Sequence, residues 1–225
     1  MMEKDKRVLS RREILALGFG GIALGGSAFA QQAERLYTPE VMLGPFYPML
    51  KPLDTDADLT LVKGHKKRAD GEIVHVTGRV LNQKGEPVSG AEIEIWQANA
   101  RGRYAHPSDS NTTPLDENFQ GFAVLKTDSL GRYRFKTIKP GPYPVSPTEL
   151  RTPHIHFDVK GRQNRLTSQM FFPGEELNAK DLLYLDLQRF YKTNHQTVIA
   201  EKQAPTKEIA AGETLLNWDI VLLNG

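Results

Sequence analysis

From residue 72 onward, hydrophobic and polar positions alternate in short runs separated by turn residues. The pattern is clearest in EIVHVTGRVLNQ (72–83), AEIEIWQAN (91–99), FAVLKTDSLGRYRFKTI (122–138), TPHIHFDVKG (152–161) and TLLNWDIVLLN (214–224). A period of two is typical of strands with one buried face, and turn-bounded strands at this spacing indicate a sandwich or barrel. We expect 72–83 to pair with 91–99 across a turn, and 122–138 to form a second such hairpin. The sequence therefore predicts a mainly β fold, a single-domain β-sandwich.

Two stretches depart from this alternation. Residues 31–70 are rich in Pro and Asp, and we expect them to wrap the sandwich as an N-terminal arm. Residues 178–194, NAKDLLYLDLQRFYKTN, place leucines and aromatic residues near helical spacing, which predicts one or two short helices.

Residues 1–30 have the layout of an export signal. Basic residues precede an apolar, glycine-rich run from Ile14 to Gly26, and Ala28-Phe29-Ala30 follows as a small-x-small cleavage site. The run is shorter than the ~20 residues of a spanning helix. The sequence SRREIL (10–15) looks like the twin-arginine type of signal. We expect cleavage after Ala30, a mature domain of residues 31–225 and a periplasmic location; an uncleaved N-terminal anchor is the alternative.

Charge and cysteine content narrow the classes of function. The leader carries five of the 29 Lys and Arg and three of the 27 Asp and Glu, so 24 of each remain in the mature chain. A formally neutral surface does not indicate a nucleic-acid or membrane partner. The absence of cysteine excludes disulfides, thiolate nucleophiles and cysteine-ligated iron–sulfur clusters.

The segment TPHIHFDVKG holds two of the six histidines, separated by one residue. Side chains at i and i+2 of a strand point to the same face, so His154 and His156 can converge on one ion while Ile155 and Phe157 pack the other face. A His-x-His pair alone is only moderately specific for metal binding.

Two tyrosines in loop settings strengthen the metal interpretation. Tyr104 lies in ANARGRYAHP, and Tyr143 lies between two prolines in IKPGPYPVSP, where the backbone is stiff. A phenol with a pKa near ~10 is a poor ligand until a hard, highly charged cation ionises it. Two histidines and two tyrosinates therefore favour non-haem Fe(III) over zinc or over Fe(II), which usually takes two histidines and one carboxylate.

The chain resembles the intradiol ring-cleavage dioxygenases, the catechol and protocatechuate 3,4-dioxygenase family. The likeness runs through GPFYP, GRVLNQKGEPVSGAEIEIWQANARGRYAHP, LDENFQGFAVLKTDSLGRYRFKTIKPGPYP, RTPHIHF and NWDIVL, which cover most of the mature chain. It is nearest the iron-binding chain of protocatechuate 3,4-dioxygenase, although GPFYP looks more like the catechol and hydroxyquinol branches.

The resemblance implies a β-sandwich with Fe(III) bound by Tyr104, Tyr143, His154 and His156. It implies further that Arg151 stabilises negative charge on the substrate, that Gln169 lines the oxygen side of the pocket, and that Tyr47 lies in the substrate cavity. A catechol would replace Tyr143 on the iron, and both atoms of O2 would enter the ring to give a cis,cis-muconate-type diacid. Partners implied are the catechol, O2 and further copies of the chain in a homo-oligomer. The ring substituents of the catechol stay open.

Two other classes of protein share parts of this pattern. The segments GRVLNQKGEPVSGAEIEI and TDSLGRYRF resemble transthyretin-like or carboxypeptidase-regulatory-like binding modules. In such a module the two tyrosines and two histidines would have no common function. Cupins also carry His-x-His on a strand, followed within a few residues by a glutamate that HIHFDVKG lacks.

Overall fold

The computed structural model describes residues 33–146 and 148–225, so the predicted leader and its cleavage site lie outside the described residues. In this part of the chain the strands are β1 (Ile73–Asn82), β2 (Glu92–Trp96), β3 (Phe122–Lys126), β4 (Arg132–Ile138), β5 (Tyr143–Pro144), β6 (Leu150–Arg151), β7 (His154–Lys160), β8 (Arg165–Phe171), β9 (Glu201–Gln203), β10 (Thr214–Asn217) and β11 (Ile220–Leu222). The helix α1 (Leu182–Tyr191) lies between two 3-10 helices, Glu176–Lys180 and Lys192–Val198. The mainly β prediction and the predicted short helices are both confirmed.

The strands form two main sheets and one small pair. In the first sheet β1 is central: β4 runs antiparallel along one edge, and β10 and β11 run parallel along the other, with β9 beyond β10. The second sheet is antiparallel in the order β3-β2-β7-β8. Strands β5 and β6 pair with each other. None of the helices in the described ranges is long and apolar enough to cross a membrane.

The two predicted hairpins are wrong. β1 pairs with β4, and β2 pairs with β3 and β7, so the turns at 83–91 and 127–131 carry the chain from one sheet to the other. Alternation tells which face of a strand is buried, but it does not tell which strand lies beside it. Both sheets bury one face against the same core. The predicted hairpins and the observed strand pairing therefore give the same alternation in the sequence.

The last predicted strand is split, and four strands, β5, β6, β8 and β9, were not predicted. Residues 214–224 form β10 and β11, with Trp218 between them donating its backbone N–H to the Thr77 carbonyl at 2.8 Å. Residue 78 must be glycine there, since a Cβ atom would lie 1.9 Å from the Trp218 carbonyl oxygen. The longest of these is β8, whose RLTSQMF sequence alternates poorly because a buried serine and glutamine occupy its centre.

Both sheets contribute to one hydrophobic core. Its members include Val74, Val76 and Phe135 from the first sheet, and Ile93, Ile95, Ile155, Phe157 and Met170 from the second. The strand β7 is buried along its whole length except at its last residue. Its apolar side chains point into this core, so the two histidines of β7 point to the opposite face of the second sheet.

Residues 33–70 lie along the edges of both sheets. The backbone N–H of Val41 donates to the Thr167 carbonyl of β8 at 2.8 Å, and that of Leu59 donates to Lys136 of β4 at 2.9 Å. Between these points the segment crosses the outer face of the second sheet, where the histidines of β7 lie. Residues 42–52 therefore cover this sheet face, which would otherwise expose the histidines of β7 to water.

Glu94 of β2 anchors this covering segment. Its carboxylate is 1% exposed and accepts hydrogen bonds from Tyr47 Oη at 2.5 Å and from Lys51 Nζ at 2.5 Å. Lys160 Nζ of β7 lies 3.1 Å from the same carboxylate. A buried carboxylate needs such partners, because an unpaired charge in the interior is costly. Glu94 thus ties residues 47–51 to the second sheet.

Two glycines let the loops that carry the predicted tyrosines touch backbone to backbone. Gly102 has φ +76°, and a Cβ atom there would lie 2.1 Å from the Pro142 carbonyl oxygen. A Cβ atom on Gly141 would lie 2.6 Å from the Ala100 carbonyl oxygen. The Gly141 N–H donates to Asn99 across this contact at 2.9 Å. The contact brings residues 99–104 beside residues 139–143.

We expect Gly102→Ala to destabilise the fold more than Gly90→Ala does. Both glycines have similar positive φ, so each substitution costs about 1–2 kcal/mol for the left-handed conformation. At Gly90 a Cβ meets no described atom within 4 Å, whereas at Gly102 it meets a backbone carbonyl and adds about 1–3 kcal/mol. Urea unfolding measures both losses, and equal losses would contradict the loop contact.

We expect Glu94→Gln to remove a pH dependence of stability. Burial raises the pKa of Glu94, but the bonds from Lys51, Tyr47 and Lys160 outweigh burial and bring it to about 2, below the usual 4.5. A lowered pKa stabilises the folded state above pH 4.5, and this contribution is lost as the pH falls towards 2. This contribution to the free energy of unfolding is at most about 3 kcal/mol. Water around the two part-exposed lysines screens the charges and makes it smaller.

Urea unfolding of both proteins between pH 6 and pH 2 is the measurement. The difference in unfolding free energy should shrink as the pH falls, and parallel curves would refute the anchor. Glu92→Gln is the control, because Glu92 is 37% exposed and its bond is to Lys160 rather than to the covering segment.

Candidate metal centre

His154 and His156 lie side by side on the outer face of the second sheet. Each is 2% exposed, and their Nε2 atoms are 3.2 Å apart. The Nδ1 atom of His154 lies 2.6 Å from the Thr152 carbonyl oxygen, which fixes the proton on Nδ1 and leaves the Nε2 lone pair free. Trp96 stacks on His156 with ring centroids 4.8 Å apart and holds its plane.

The two loop tyrosines complete a closed set of four rings. Tyr104 and Tyr143 have ring centroids 5.4 Å apart, Tyr143 and His154 5.6 Å, His154 and His156 4.8 Å, and His156 and Tyr104 6.2 Å. Tyr104 is 4% exposed and Tyr143 is 5% exposed. The structure therefore brings together the four residues that the resemblance assigns to a metal. Tyr104 comes from a loop, Tyr143 from the start of β5, and the two histidines from β7.

Burial sets the protonation of this group. It lowers the pKa of His154 to about 3, with the Arg151 charge adding to the effect and the Thr152 carbonyl opposing it. It also lowers the pKa of His156 well below the usual range, assisted by His154 and Arg151. Burial raises the pKa of Tyr104 and of Tyr143, and Arg151 opposes the rise at both. Both imidazoles are thus neutral and able to offer a lone pair to a cation.

The donor set fits a hard cation. Within the described residues, Tyr104 Oη, His156 Nδ1 and Gln169 Nε2 are buried polar atoms without a hydrogen-bond partner. Such groups are rare in folded proteins and indicate an ion or a ligand. In residues 33–146 and 148–225 no cluster of three or more His, Cys, Asp or Glu side chains could hold a metal ion, so a metal here would need the phenol oxygens.

Asp158 does not supply a carboxylate to this set. It lies on the same face of β7, two residues beyond His156, but its Oδ1 accepts from Arg165 Nε at 2.8 Å and from Thr167 Oγ1 at 3.1 Å. One carboxylate oxygen is therefore held in an ion pair with β8, while Oδ2 is buried without a hydrogen-bond partner among the described residues.

Arg151 and Gln169 lie next to each other beside the four rings. Arg151 Nη2 donates to Gln169 Oε1 at 2.7 Å, and both side chains are buried. In the strand register, Arg151 is opposite Tyr143, and Gln169 is opposite His156. The two residues that the resemblance places near substrate and oxygen therefore adjoin two different members of the ring set.

Tyr47 lies at the edge of the centre, and Phe46 lies at its middle. The Tyr47 ring meets Trp96 edge-on at 5.1 Å, and its hydroxyl is bound to Glu94. The Phe46 ring stacks on Tyr104 at 4.6 Å and meets Tyr143 edge-on at 5.8 Å. Phe46 also lines a cleft of about 160 Å³ beside Trp96. Gly44 runs directly over the ring set, since a Cβ atom there would lie 3.2 Å from His156 Cε1.

Sequence reasoning missed three residues of this region. The prediction from GPFYP concerned Tyr47 and not Phe46, and the alternation of AEIEIW gave no sign that Glu94 is buried. Asp181 lies inside the predicted helical stretch 178–194, whereas in the structure it is the N-cap of α1, a position that aspartate favours. Its second contact, with Arg151 Nε at 2.8 Å, depends on tertiary structure.

Comparisons with known proteins agree with this arrangement. A family model described as dioxygenase matches residues 42–224. The protocatechuate 3,4-dioxygenase beta chain of Burkholderia cepacia is 48% identical over 139 residues, which cover 60% of this chain and 58% of that protein. The hydroxyquinol 1,2-dioxygenase of Corynebacterium glutamicum is 28% identical over 187 residues, covering 77% and 57%. The chain thus spans less than two thirds of the length of these curated relatives.

The fold is also shared with a solved structure. The dioxygenase domain of a dioxygenase and carbohydrate-binding fusion protein from Streptomyces sp. SirexAA-E matches with a TM-score of 0.62 at 24% identity, covering 84% of this chain and 99% of that domain. Because the family model matches far more than half of the sequence, the chain belongs to the dioxygenase family, in the intradiol group that its relatives represent.

Proposed function

We propose that the protein is an Fe(III)-dependent intradiol dioxygenase. It would cleave a catechol-type ring between its two hydroxyls, using both atoms of O2, to give a cis,cis-muconate-type diacid. The observation that carries the proposal is the closed set of two neutral histidines and two buried tyrosines, with Tyr104 Oη left without a partner among the described residues.

The ligands proposed for iron are Tyr104, Tyr143, His154 and His156. Two phenol oxygens suit a trivalent ion, because a hard, highly charged cation favours the phenolate that burial otherwise suppresses. When bound, ferric iron supplies Lewis-acid activation and a template for both catechol oxygens. The tautomer that Thr152 imposes on His154 already presents Nε2 for this purpose.

The side chains around this set have roles that follow from their contacts. As a tyrosinate, Tyr143 would take up a proton from a catechol hydroxyl, because burial raises the pKa of Tyr143 and so favours its neutral phenol form. Arg151 is proposed to stabilise negative charge on the ring through preorganised N–H groups. Gln169 Nε2 is unpartnered among the described residues and is available to a ligand.

The substrate contacts are proposed to be mainly aromatic. Tyr47 presents its ring, because its hydroxyl is engaged by Glu94, and Trp96 lies beside it. Phe46 covers Tyr104 and Tyr143 and would keep water from the buried phenols. The relatives are named for protocatechuate, hydroxyquinol and catechol, so we propose a catechol-type substrate and leave its substituents to a substrate screen.

Export and assembly are further parts of the proposal. The SRREIL motif, the apolar run and the AFA site support export by a twin-arginine-type signal to the periplasm. A homo-oligomer is proposed from the family resemblance and the formally neutral mature sequence, and sedimentation of the purified protein tests it.

We expect the purified, iron-loaded protein to be coloured. Tyrosinate bound to ferric iron absorbs visible light, and the band should shift when a catechol is added without oxygen. With oxygen, one O2 should be consumed for each ring cleaved. Tyr143→Phe should weaken the band, and His154→Ala should lower the iron content, and both should reduce turnover at least 100-fold while the far-ultraviolet circular dichroism is unchanged.

His65→Ala is the matched control, because His65 is an exposed histidine bound to Asn118. It should keep the colour, the iron and the turnover. A colourless protein that binds no ferric iron would refute the proposal and favour a non-catalytic binding module of the transthyretin-like kind. Full turnover in Tyr143→Phe would refute the ligand assignment alone.

We expect the exported protein to begin at Gln31. Expression of the full chain in a bacterium with a twin-arginine export system, followed by N-terminal sequencing of the periplasmic fraction, measures this. Replacing Arg11 and Arg12 by lysine should leave the protein in the cytoplasm at its full length. A protein retained at the membrane with residue 1 or 2 at its N-terminus would show an uncleaved anchor instead.

A further inference from the structure

Asp181 is a fully buried carboxylate beside the ring set. It lies between the 3-10 helix Glu176–Lys180 and α1, and its side chain is 0% exposed. Oδ2 accepts from Arg151 Nε at 2.8 Å and from the Thr152 backbone N–H at 2.9 Å. Oδ1 accepts from the Tyr184 backbone N–H at 2.9 Å and so caps α1. The carboxylate cannot turn without losing one of these bonds.

Arg151 is held from two sides. Asp181 takes its Nε–H, and Gln169 takes one N–H of Nη2. A guanidinium is planar and carries five N–H donors, so two fixed bonds determine the plane in which the other three point. Arg151 lies in a strand pair of only two residues per strand, opposite Tyr143. A strand pair this short does little to restrict the rotamers of a long side chain such as that of Arg151.

The neighbours of Asp181 reinforce this position. Asn178 Oδ1 accepts from Thr152 Oγ1 at 2.8 Å, and Asn178 Nδ2 donates to the Phe172 carbonyl at 3.0 Å. The segment between β8 and α1 is therefore bonded to the residue that immediately follows Arg151. Together these contacts fix the backbone just before β7 begins. There the Thr152 carbonyl also sets the tautomer of His154.

We propose that Asp181 is the positioning residue for Arg151. Its carboxylate would offset the buried positive charge and orient the guanidinium so that the free N–H groups point to the bound catechol. The inference rests on the proposed function, because it takes Arg151 to act on the substrate. Among the described residues no hydrogen bond joins Asp181 to a ring of the candidate metal centre, so it would act through Arg151. The same carboxylate makes the start of α1 part of the active-site framework.

Asp181→Asn is the decisive variant. An amide offers one acceptor oxygen where the carboxylate offers two, so it can cap α1 or hold Arg151, but not both. We expect kcat/KM for catechol to fall about 100-fold, as a small misplacement of a catalytic group does. We also expect weaker anaerobic binding of 4-nitrocatechol, with the iron content unchanged.

A double-mutant cycle with Arg151→Met separates positioning from folding. If Asp181 acts through Arg151, Asp181→Asn should lower kcat/KM little further once Arg151 is Met. In metal-free protein, Asp181→Asn should lower the melting temperature of the wild type more than that of Arg151→Met, where it also removes an unpaired buried charge. Equal losses in both backgrounds would show a purely structural role and overturn the proposal.

Asp158→Asn is the matched control. Asp158 is also 0% exposed and bonded to an arginine Nε at 2.8 Å, but its partner Arg165 is 58% exposed and lies outside the ring set. It should lower the melting temperature while kcat/KM and 4-nitrocatechol binding stay within about threefold. An active wild type with an equally active Asp181→Asn protein would overturn this inference alone. A wild type that cleaves no catechol would overturn the proposed function and the inference with it.

Discussion

The strand β7 is buried on both faces, and the rest of the molecule follows from that constraint. One face is apolar and packs into the core between the sheets. The other carries two histidines and an aspartate, which need polar partners because they are buried. Residues 42–52 provide the shield, the two tyrosine loops provide the neighbours of the histidines, and β8 provides a glutamine and an arginine. On an open sheet face the candidate metal centre would be solvated, whereas here its four rings lie inside the protein.

Three buried acids show how the fold manages charge around the centre. Glu94 holds the covering segment, Asp158 holds β8, and Asp181 holds Arg151. Each acid is paired with a cation from a different element of structure, so each pair is also a joint between elements. Because the pairs are committed to each other, the four rings meet no free carboxylate. The centre therefore keeps neutral nitrogen and phenol donors, which distinguishes it from the two-histidine, one-carboxylate sites that suit Fe(II).

The sequence predicted those features of the fold and the candidate site that depend on residues close together along the chain. His154, His156 and the inward direction of Ile155 follow from strand periodicity, a local property, and the structure agrees. The helix near 178–194 also follows from local spacing. Strand pairing was wrong because alternation carries no information about which strand lies alongside. Glu94, Phe46 and the second contact of Asp181 were missed because each depends on residues about 30 or more positions away. The family resemblance placed Tyr104 and Tyr143 beside the histidines, which spacing alone did not do.

The two turns that change sheets also bear on how the chain reaches this structure. Neither β1 nor β4 finds its partner in the strand next to it in sequence, since they pair with each other across about 50 residues, and β1 pairs again with β10 near the end of the chain. Pairings so distant carry a high contact order and form slowly. The loops bearing Tyr104 and Tyr143 are brought together by strands from both sheets. The four rings therefore meet only after β7 has been made, and a nascent chain holds both tyrosines before either histidine.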